Sequence, residues 1–238
     1  MQSSGFAKVA RSIDSMPQVN YDMADVAGLL YRNPLLEARL ARYPAFLGLA
    51  EEAEFVSIGN DAEFTKLWQQ QRPVAELVGQ SQIQALRNNP EAFKRAWNTV
   101  APDVNDLRTY LETGRSSKYD PIKILGRWKF DVNAAISARR RANPNLPSSE
   151  MQKIKKWMQA AFEKTELIAR TDNQLALRNL PPLKPGAAAG AQNLQGQWKD
   201  LDGKYQLAFP DKEMLATVEG ERLAVKADGT DLVFTRED

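Results

Sequence analysis

The sequence predicts an α+β protein. A cluster of short helices spans residues 1–118, and a smaller domain over 119–238 carries an antiparallel meander sheet and a packed helix. Three observations carry this reading. First, apolar words recur between residues 33 and 93, each opened by proline or a small acidic unit: Asn33-Pro34-Leu35-Leu36, Tyr43-Pro44-Ala45-Phe46, Glu52-Ala53-Glu54-Phe55, Asp61-Ala62-Glu63-Phe64 and Asn89-Pro90-Glu91-Ala92-Phe93. Proline at a first helical position with an acid in the first turn starts a new helix. Second, the segment 150–163 places Met151, Ile154, Trp157, Met158, Ala161 and Phe162 at helical spacing. Third, beyond residue 194 the period falls to two, with Asp202-Gly203 and Asp228-Gly229 between alternating runs, a strong hairpin signal.

Taken in order, residues 1–22 are polar and end in Met16-Pro17, a frayed or partly helical start. Asp22 is placed to cap a helix with the stripe Met23, Val26, Ala27 and Leu30, stopped by Asn33-Pro34. Leu35, Leu36, Ala38 and Leu40 form the next word, then Phe46-Leu47-Leu49, Phe55-Val56-Ile58 and Phe64-Leu67-Trp68. Pro73 leads Val74, Leu77 and Val78, while Ile83 and Leu86 precede Asn89-Pro90. A longer helix through Phe93, Ala96, Trp97 and Val100 runs to Pro102, and Asp103–Thr113 is the last, with Gly114 as its C-cap. Helices this short cannot each bury an apolar face alone. They share it with neighbours or with a guest.

Tyr119-Asp120-Pro121 marks a change of style. Ile124 to Asp131 reads as a strand, Val132 to Arg141 as an amphipathic segment, and Ser148-Ser149-Glu150 as the start of the helix 150–163. Thr165–Arg170 and Gln174–Asn179 read as paired strands, and 180–193 is a flexible Pro/Gly/Ala-rich loop. About five short strands follow: Gln195–Leu201, Lys204–Phe209, Met214–Glu219, Arg222–Ala227 and Leu232–Arg236. Residues 194–238 alone are too few for a sound core. Gly126-Arg127-Trp128-Lys129 echoes Gly196-Gln197-Trp198-Lys199, so strands from both sides of the loop are expected in one sheet; chance similarity is the alternative.

The composition, 43% hydrophobic and 26% charged, is ordinary for a soluble chain. No run approaches the ~20 apolar residues of a membrane span, and Met1–Gly5 begins no signal peptide. Cysteine and histidine are absent, which excludes disulfides, thiolate nucleophiles, Cys/His zinc sites and Ser-His-Asp triads. The carboxylates Glu51, Glu52, Glu54 and Glu63 sit at helix starts, where they complement the dipole. Asp200, Asp202, Asp211 and Asp228 form turns without a calcium-loop pattern. No enzyme, metal or cofactor is expected.

Charge is uneven. Residues 121–170 hold 11 Lys+Arg against 4 Asp+Glu, while 1–120 hold 13 against 15 and 171–238 hold 8 against 11. Arg139, Arg140 and Arg141, with Lys153, Lys155, Lys156 and Lys164, form the basic cluster. It fits RNA, an anionic membrane surface or an acidic partner, or simply a solvated helix face. No RNP-like aromatics or helix-turn-helix accompany it, so nucleic acid is not expected. The candidate membrane-surface residues are Arg139, Arg140, Arg141, Lys153 and Lys156.

Phe46, Leu49, Phe55, Ile58, Phe64, Leu67, Trp68, Leu77, Ile83 and Leu86 are the candidate peptide-binding set, a groove for an apolar helix read through i/i+4 anchors; the alternative is a plain core. Trp128 and Trp198 are sheet-core residues or the floor of a small-ligand cavity.

Two resemblances rest on particular residues. Asn60-Asp61-Ala62-Glu63-Phe64 followed by Ile83-Gln84-Ala85-Leu86-Arg87-Asn88-Asn89-Pro90-Glu91 resembles the DP-type modules of Hop-family co-chaperones and ubiquilins, with Ala where that family often has Pro after the Asp. It implies a bundle of short helices holding a hydrophobic client helix. Leu30-Tyr31-Arg32-Asn33-Pro34, Lys123 to Asn133 and Leu194-Gln195-Gly196-Gln197-Trp198 resemble the extramembrane tail of some bacterial colicin V production (CvpA) family proteins, without the membrane region that defines the family. That resemblance implies a module tethered to the inner membrane through upstream segments, its basic helix near anionic lipid. The expected function is non-enzymatic binding or scaffolding of an apolar peptide or helix from a protein partner. The alternative is small apolar ligand binding by a lipocalin-like C-terminal domain.

Overall fold

Proline, asparagine and aspartate set the rhythm of the N-terminal half. The computed structural model describes residues 17–33, 35–181, 190–227 and 230–237 and divides into two units between Asp120 and Pro121. The expected start over 1–16 and the turn at Asp228-Gly229 lie outside the described residues, as does Pro34. The first unit contains α1 (Gln18–Arg32), α2 (Leu36–Ala41), α3 (Phe46–Leu49), α4 (Ala53–Gly59), α5 (Ala62–Gln69), α6 (Val74–Val78), α7 (Ser81–Arg87) and α8 (Pro90–Val100). A 3-10 turn (Ala101–Asp103) leads into α9 (Val104–Thr113).

The caps explain the boundaries. Asp61 Oδ1 accepts from Glu63 N and Phe64 N, both at 2.9 Å, so the chain turns into α5 there. Asn89 Oδ1 accepts from Ala92 N at 3.1 Å, with Pro90 as the first residue of α8. Gly114 closes α9 at φ 76°, its N–H donating to Tyr110 O at 2.7 Å. Asp22 does not cap a helix. α1 begins at Gln18 behind Pro17, and Asp22 accepts from Gln18 Nε2 at 3.0 Å inside the first turns.

α9 organises this unit by packing on α1, α2 and the 3-10 turn. Its Leu107 and Leu111 are 1% and 0% exposed, and Tyr43 beneath α2 is fully buried.

The second unit is a closed barrel rather than an open meander. β1 (Gly126–Phe130), β2 (Glu166–Ala169), β3 (Gln174–Leu180), β4 (Gln192–Leu201), β5 (Lys204–Phe209), β6 (Lys212–Glu219), β7 (Arg222–Ala227) and β8 (Thr230–Arg236) pair antiparallel in sequence order. β1 also pairs with β8, setting Trp128 opposite Arg236 and Phe130 opposite Phe234. Closure removes both exposed edges of the sheet. Two helices, not one, connect β1 to β2: α10 (Val132–Ala142), capped by Asp131 through Ala134 N at 2.9 Å, and α11 (Ser148–Phe162). α11 starts at Ser148 behind Pro147, with no serine side-chain cap.

Alternation sends one face of every strand inward. Trp128, Leu167, Leu177, Leu207, Leu223 and Phe234 are each at most 1% exposed and fill the interior. Gly196 belongs to this face, and a Cβ there would collide with the carbonyl oxygen of Ala208 and lie 2.8 Å from Phe209 Cδ1.

Each barrel end has its own closure. At the Phe130 end, Phe162 of α11 stacks on Phe130 at 4.5 Å, and α10 packs on β8. At the Gly126 end, Ile124 and Leu125 leave the expected strand and insert as a plug, 0% and 3% exposed. Trp128 Nε1 donates to Ile124 O at 2.8 Å, and Arg236 donates to Leu125 O at 2.5 Å and Lys123 O at 2.8 Å. Of the expected loop 180–193, residues 182–189 are outside the described ones. Its two ends are strand, since Leu180 pairs with Gln192.

Candidate functional site

The four short helices α4 to α7 close on one another. α4 touches α5 and α7, α5 touches α6, and α6 touches α7. Side chains fix this ring. Arg95 of α8 pairs with Glu52 at 2.9 Å and Glu54 at 3.5 Å, pinning the start of α4, and Asn89 Nδ2 donates to Glu54 Oε1 at 3.1 Å. Arg72 grips Glu76 through two 3.0 Å hydrogen bonds at the start of α6. Gln84 Nε2 donates to Val78 O at 2.6 Å, joining α6 to α7. Tyr31 donates to Gln71 O at 3.2 Å, tying the end of α1 to the α5–α6 connection.

The ring is only half covered. Phe55 and Ile58 on α4, Phe64, Leu67 and Trp68 on α5, and Ile83 and Leu86 on α7 are the less exposed residues of their helices, yet each stays partly exposed. No residue of α4, α5 or α7 is fully buried. By contrast, α9 alone buries Val104, Leu107 and Leu111. Phe64 and Trp68 stack at 6.2 Å, one turn apart, forming a flat apolar platform. Val56 and Val78 add exposed aliphatic surface at 41% and 40%. Apolar stripes left partly exposed on contacting helices are what a seat for an apolar guest requires.

The ten residues expected to line a groove do not all meet. Seven lie on α4, α5 and α7 as above, and Leu77 on α6 is buried. Phe46 and Leu49 belong to α3, which packs on α2 and α8. Phe46 lies against Tyr43 at 6.1 Å, and Leu49 is 5% exposed, so both belong to the packing of α3 on α2 and α8 rather than to the α4–α7 ring.

Of the basic residues, Arg139, Arg140 and Arg141 occupy the last turn of α10, while Lys153 and Lys156 are exposed on α11. Trp128, considered as a cavity floor, is 0% exposed and held under the Arg236 guanidinium at 4.3 Å from its ring centroid. Trp198 is 7% exposed and donates through Nε1 to Arg170 O at 2.9 Å. Both indoles are wedges of the barrel interior.

One polar cluster escaped the sequence reading. Asp106 accepts from Ser116 Oγ at 2.6 Å, Tyr43 Oη at 2.9 Å, Ser117 Oγ at 3.1 Å and Lys118 N at 3.3 Å. Asp103 accepts from Lys118 Nζ and Tyr119 Oη, both at 2.5 Å. Its signal, two acids three apart at a helix start, is indistinguishable from ordinary helix capping until the partners from residues 43 and 116–119 are seen. No group of three or more acids, histidines or cysteines among the described residues is arranged to hold a metal. No helix among them is long and apolar enough to cross a membrane.

No family model and no curated protein matches this chain. Among solved structures, a DUF4847 family protein from Bacteroides vulgatus ATCC 8482 is 11% identical, covering 50% of this chain and 99% of its own, with a TM-score of 0.30. A likeness that distant carries no argument here.

Proposed function

We propose that the protein is a non-enzymatic binding module whose α4–α7 ring receives an apolar or amphipathic helix from a protein partner. One observation carries this reading: α4, α5 and α7 carry eight aromatic or branched apolar side chains (Phe55, Val56, Ile58, Phe64, Leu67, Trp68, Ile83 and Leu86), and none of the eight is sealed from solvent. A helix laid against the ring would finish the burial that four short helices begin. The resemblance to DP-type modules agrees with this arrangement, and the CvpA-tail resemblance would set it beside a membrane. The lipocalin-like alternative draws on the closed barrel, but the two tryptophans named as its cavity floor are enclosed, which favours the ring.

The test is titration of the full chain with a synthetic amphipathic helix bearing leucines at i, i+3, i+4 and i+7, read by calorimetry. Leu67→Ser and Ile83→Ser should each weaken binding about tenfold or more, the loss of one buried aliphatic anchor. Unchanged affinity in both, with helix content intact by circular dichroism, would rule the ring out as the binding surface.

A further inference from the structure

We infer that the basic α10–α11 hairpin docks on an anionic membrane surface. Between residues 132 and 162 there are six cations (Arg139, Arg140, Arg141, Lys153, Lys155 and Lys156) and a single carboxylate, Glu150. The antiparallel pairing of the two helices brings the end of α10 beside the start of α11, and Arg140 Nη2 reaches Ser148 Oγ at 3.5 Å. The arginines in the last turn of α10 therefore share one hairpin with the lysines in the middle of α11.

Several arginines elsewhere are neutralised by a neighbouring acid. Arg72 pairs with Glu76, Arg95 with Glu52, Arg108 with Glu112, Arg170 with Asp172 and Arg236 with Glu221. None of the six hairpin cations has an acid within 4.0 Å among the described residues. Arg139 Nε is buried without a hydrogen-bond acceptor. The α10 dipole accounts for cations in its last turn. It does not account for Lys153, Lys155 and Lys156, which lie in the middle of α11, beyond the reach of either terminus.

Unneutralised cations carried along a helical hairpin match a diffuse layer of phosphates. A nucleic-acid surface would add aromatic platforms for bases. The hairpin has one aromatic able to play that part, Trp157, and it is turned against Phe162 at 5.5 Å. Lipid is therefore the occupant the charge pattern fits.

The experiment is co-sedimentation of the full chain with vesicles of phosphatidylcholine alone and of phosphatidylcholine mixed with phosphatidylglycerol, with a single-stranded oligonucleotide titrated in parallel. The expected result is binding to the anionic vesicles only, abolished by high salt. R139A/R140A/R141A should weaken it about a hundredfold. K153E/K156E should weaken it comparably, with melting temperatures unchanged in both. Absence of binding to anionic vesicles, equal binding to neutral ones, variants that bind like the parent, or tighter binding to the oligonucleotide would each overturn the proposal.

Discussion

Tyr43 donates its hydroxyl hydrogen to Asp106 Oδ2 at 2.9 Å across 63 residues of chain, and this bond joins the loop after α2 to the first turn of α9. Tyr43 also rests against the rings of Tyr110 at 5.3 Å and Tyr119 at 5.4 Å. Asp106→Ala leaves the hydroxyls of Tyr43 and Ser116 without their shared acceptor inside the unit. The expected loss is about 3 kcal/mol of stability, against about 1 kcal/mol for Tyr43→Phe. Urea denaturation measures both.

The same cluster sets a pH window. Burial alone would push Asp106 up, but the hydrogen bonds from Ser116, Tyr43, Lys118 N and Ser117 hold its carboxyl below the usual carboxylate range. Its contribution is thus complete above the unfolded pKa and is lost as pH falls through the lower folded value. Burial first, then the hydrogen bond to Asp106, pushes Tyr43 above the usual phenol range; burial and Asp103 do the same for Tyr119. Those contributions are complete below the ordinary tyrosine pKa and fade as pH rises past it. The melting temperature should fall below about pH 4 and above about pH 10. Asp106→Asn should flatten the acid limb, and an unchanged acid limb would show that Asp106 is not the group responsible.

Two glycines make opposite demands on the barrel. Gly196→Ala drives a Cβ into the backbone of β5, and the expected cost is about 3 kcal/mol. Gly203 sits in the β4–β5 turn at φ 87° with open space around it, so Gly203→Ala costs only the conformational strain, about 1 kcal/mol. Chemical denaturation of the two variants separates collision from strain.

Arg236 closes the Gly126 end by stacking on Trp128, donating to the carbonyls of Leu125 and Lys123, and pairing with Glu221 at 2.9 Å. A lysine keeps the charge but not the planar fork. Arg236→Lys should destabilise the barrel by about 2 kcal/mol through the lost hydrogen bonds and ring contact. Near-ultraviolet circular dichroism should show the Trp128 band weakening with it.

Half-covered and sealed side chains should answer truncation differently. Leu107→Ala, at a site 1% exposed, is expected to cost about 3 kcal/mol. Leu86→Ala on α7, only partly covered, should cost about 1 kcal/mol or less when the ring is empty. Equal losses in thermal unfolding would mean that the ring is packed as a core.

Much of the architecture was legible because its signals are local. Proline and Asx residues marked the helix starts at Asp61 and Asn89, Gly114 marked the end of α9, and period-two runs marked β5 to β8. Closure was not legible, because the pairing of β1 with β8 joins residues more than a hundred positions apart and Gly126-Arg127-Trp128 looks the same in an open or a closed sheet. Ile124 and Leu125 read as strand because they are β-prone, but their place is set by the Trp128 and Arg236 side chains that hold them as a plug. Phe46 and Leu49 carry the same apolar spacing as Phe55 and Ile58. Only the packing of α3 against α2 and α8 assigns them to the core instead of the ring.

The most direct measurement is the map of backbone amide shifts when a leucine-bearing amphipathic helix is added to the isotope-labelled chain. If the ring seats the helix, shifts concentrate at Phe55, Ile58, Phe64, Leu67, Trp68, Ile83 and Leu86, with the barrel strands unmoved. Saturating peptide that leaves those seven amides in place, or moves only residues of the barrel, would contradict that seating.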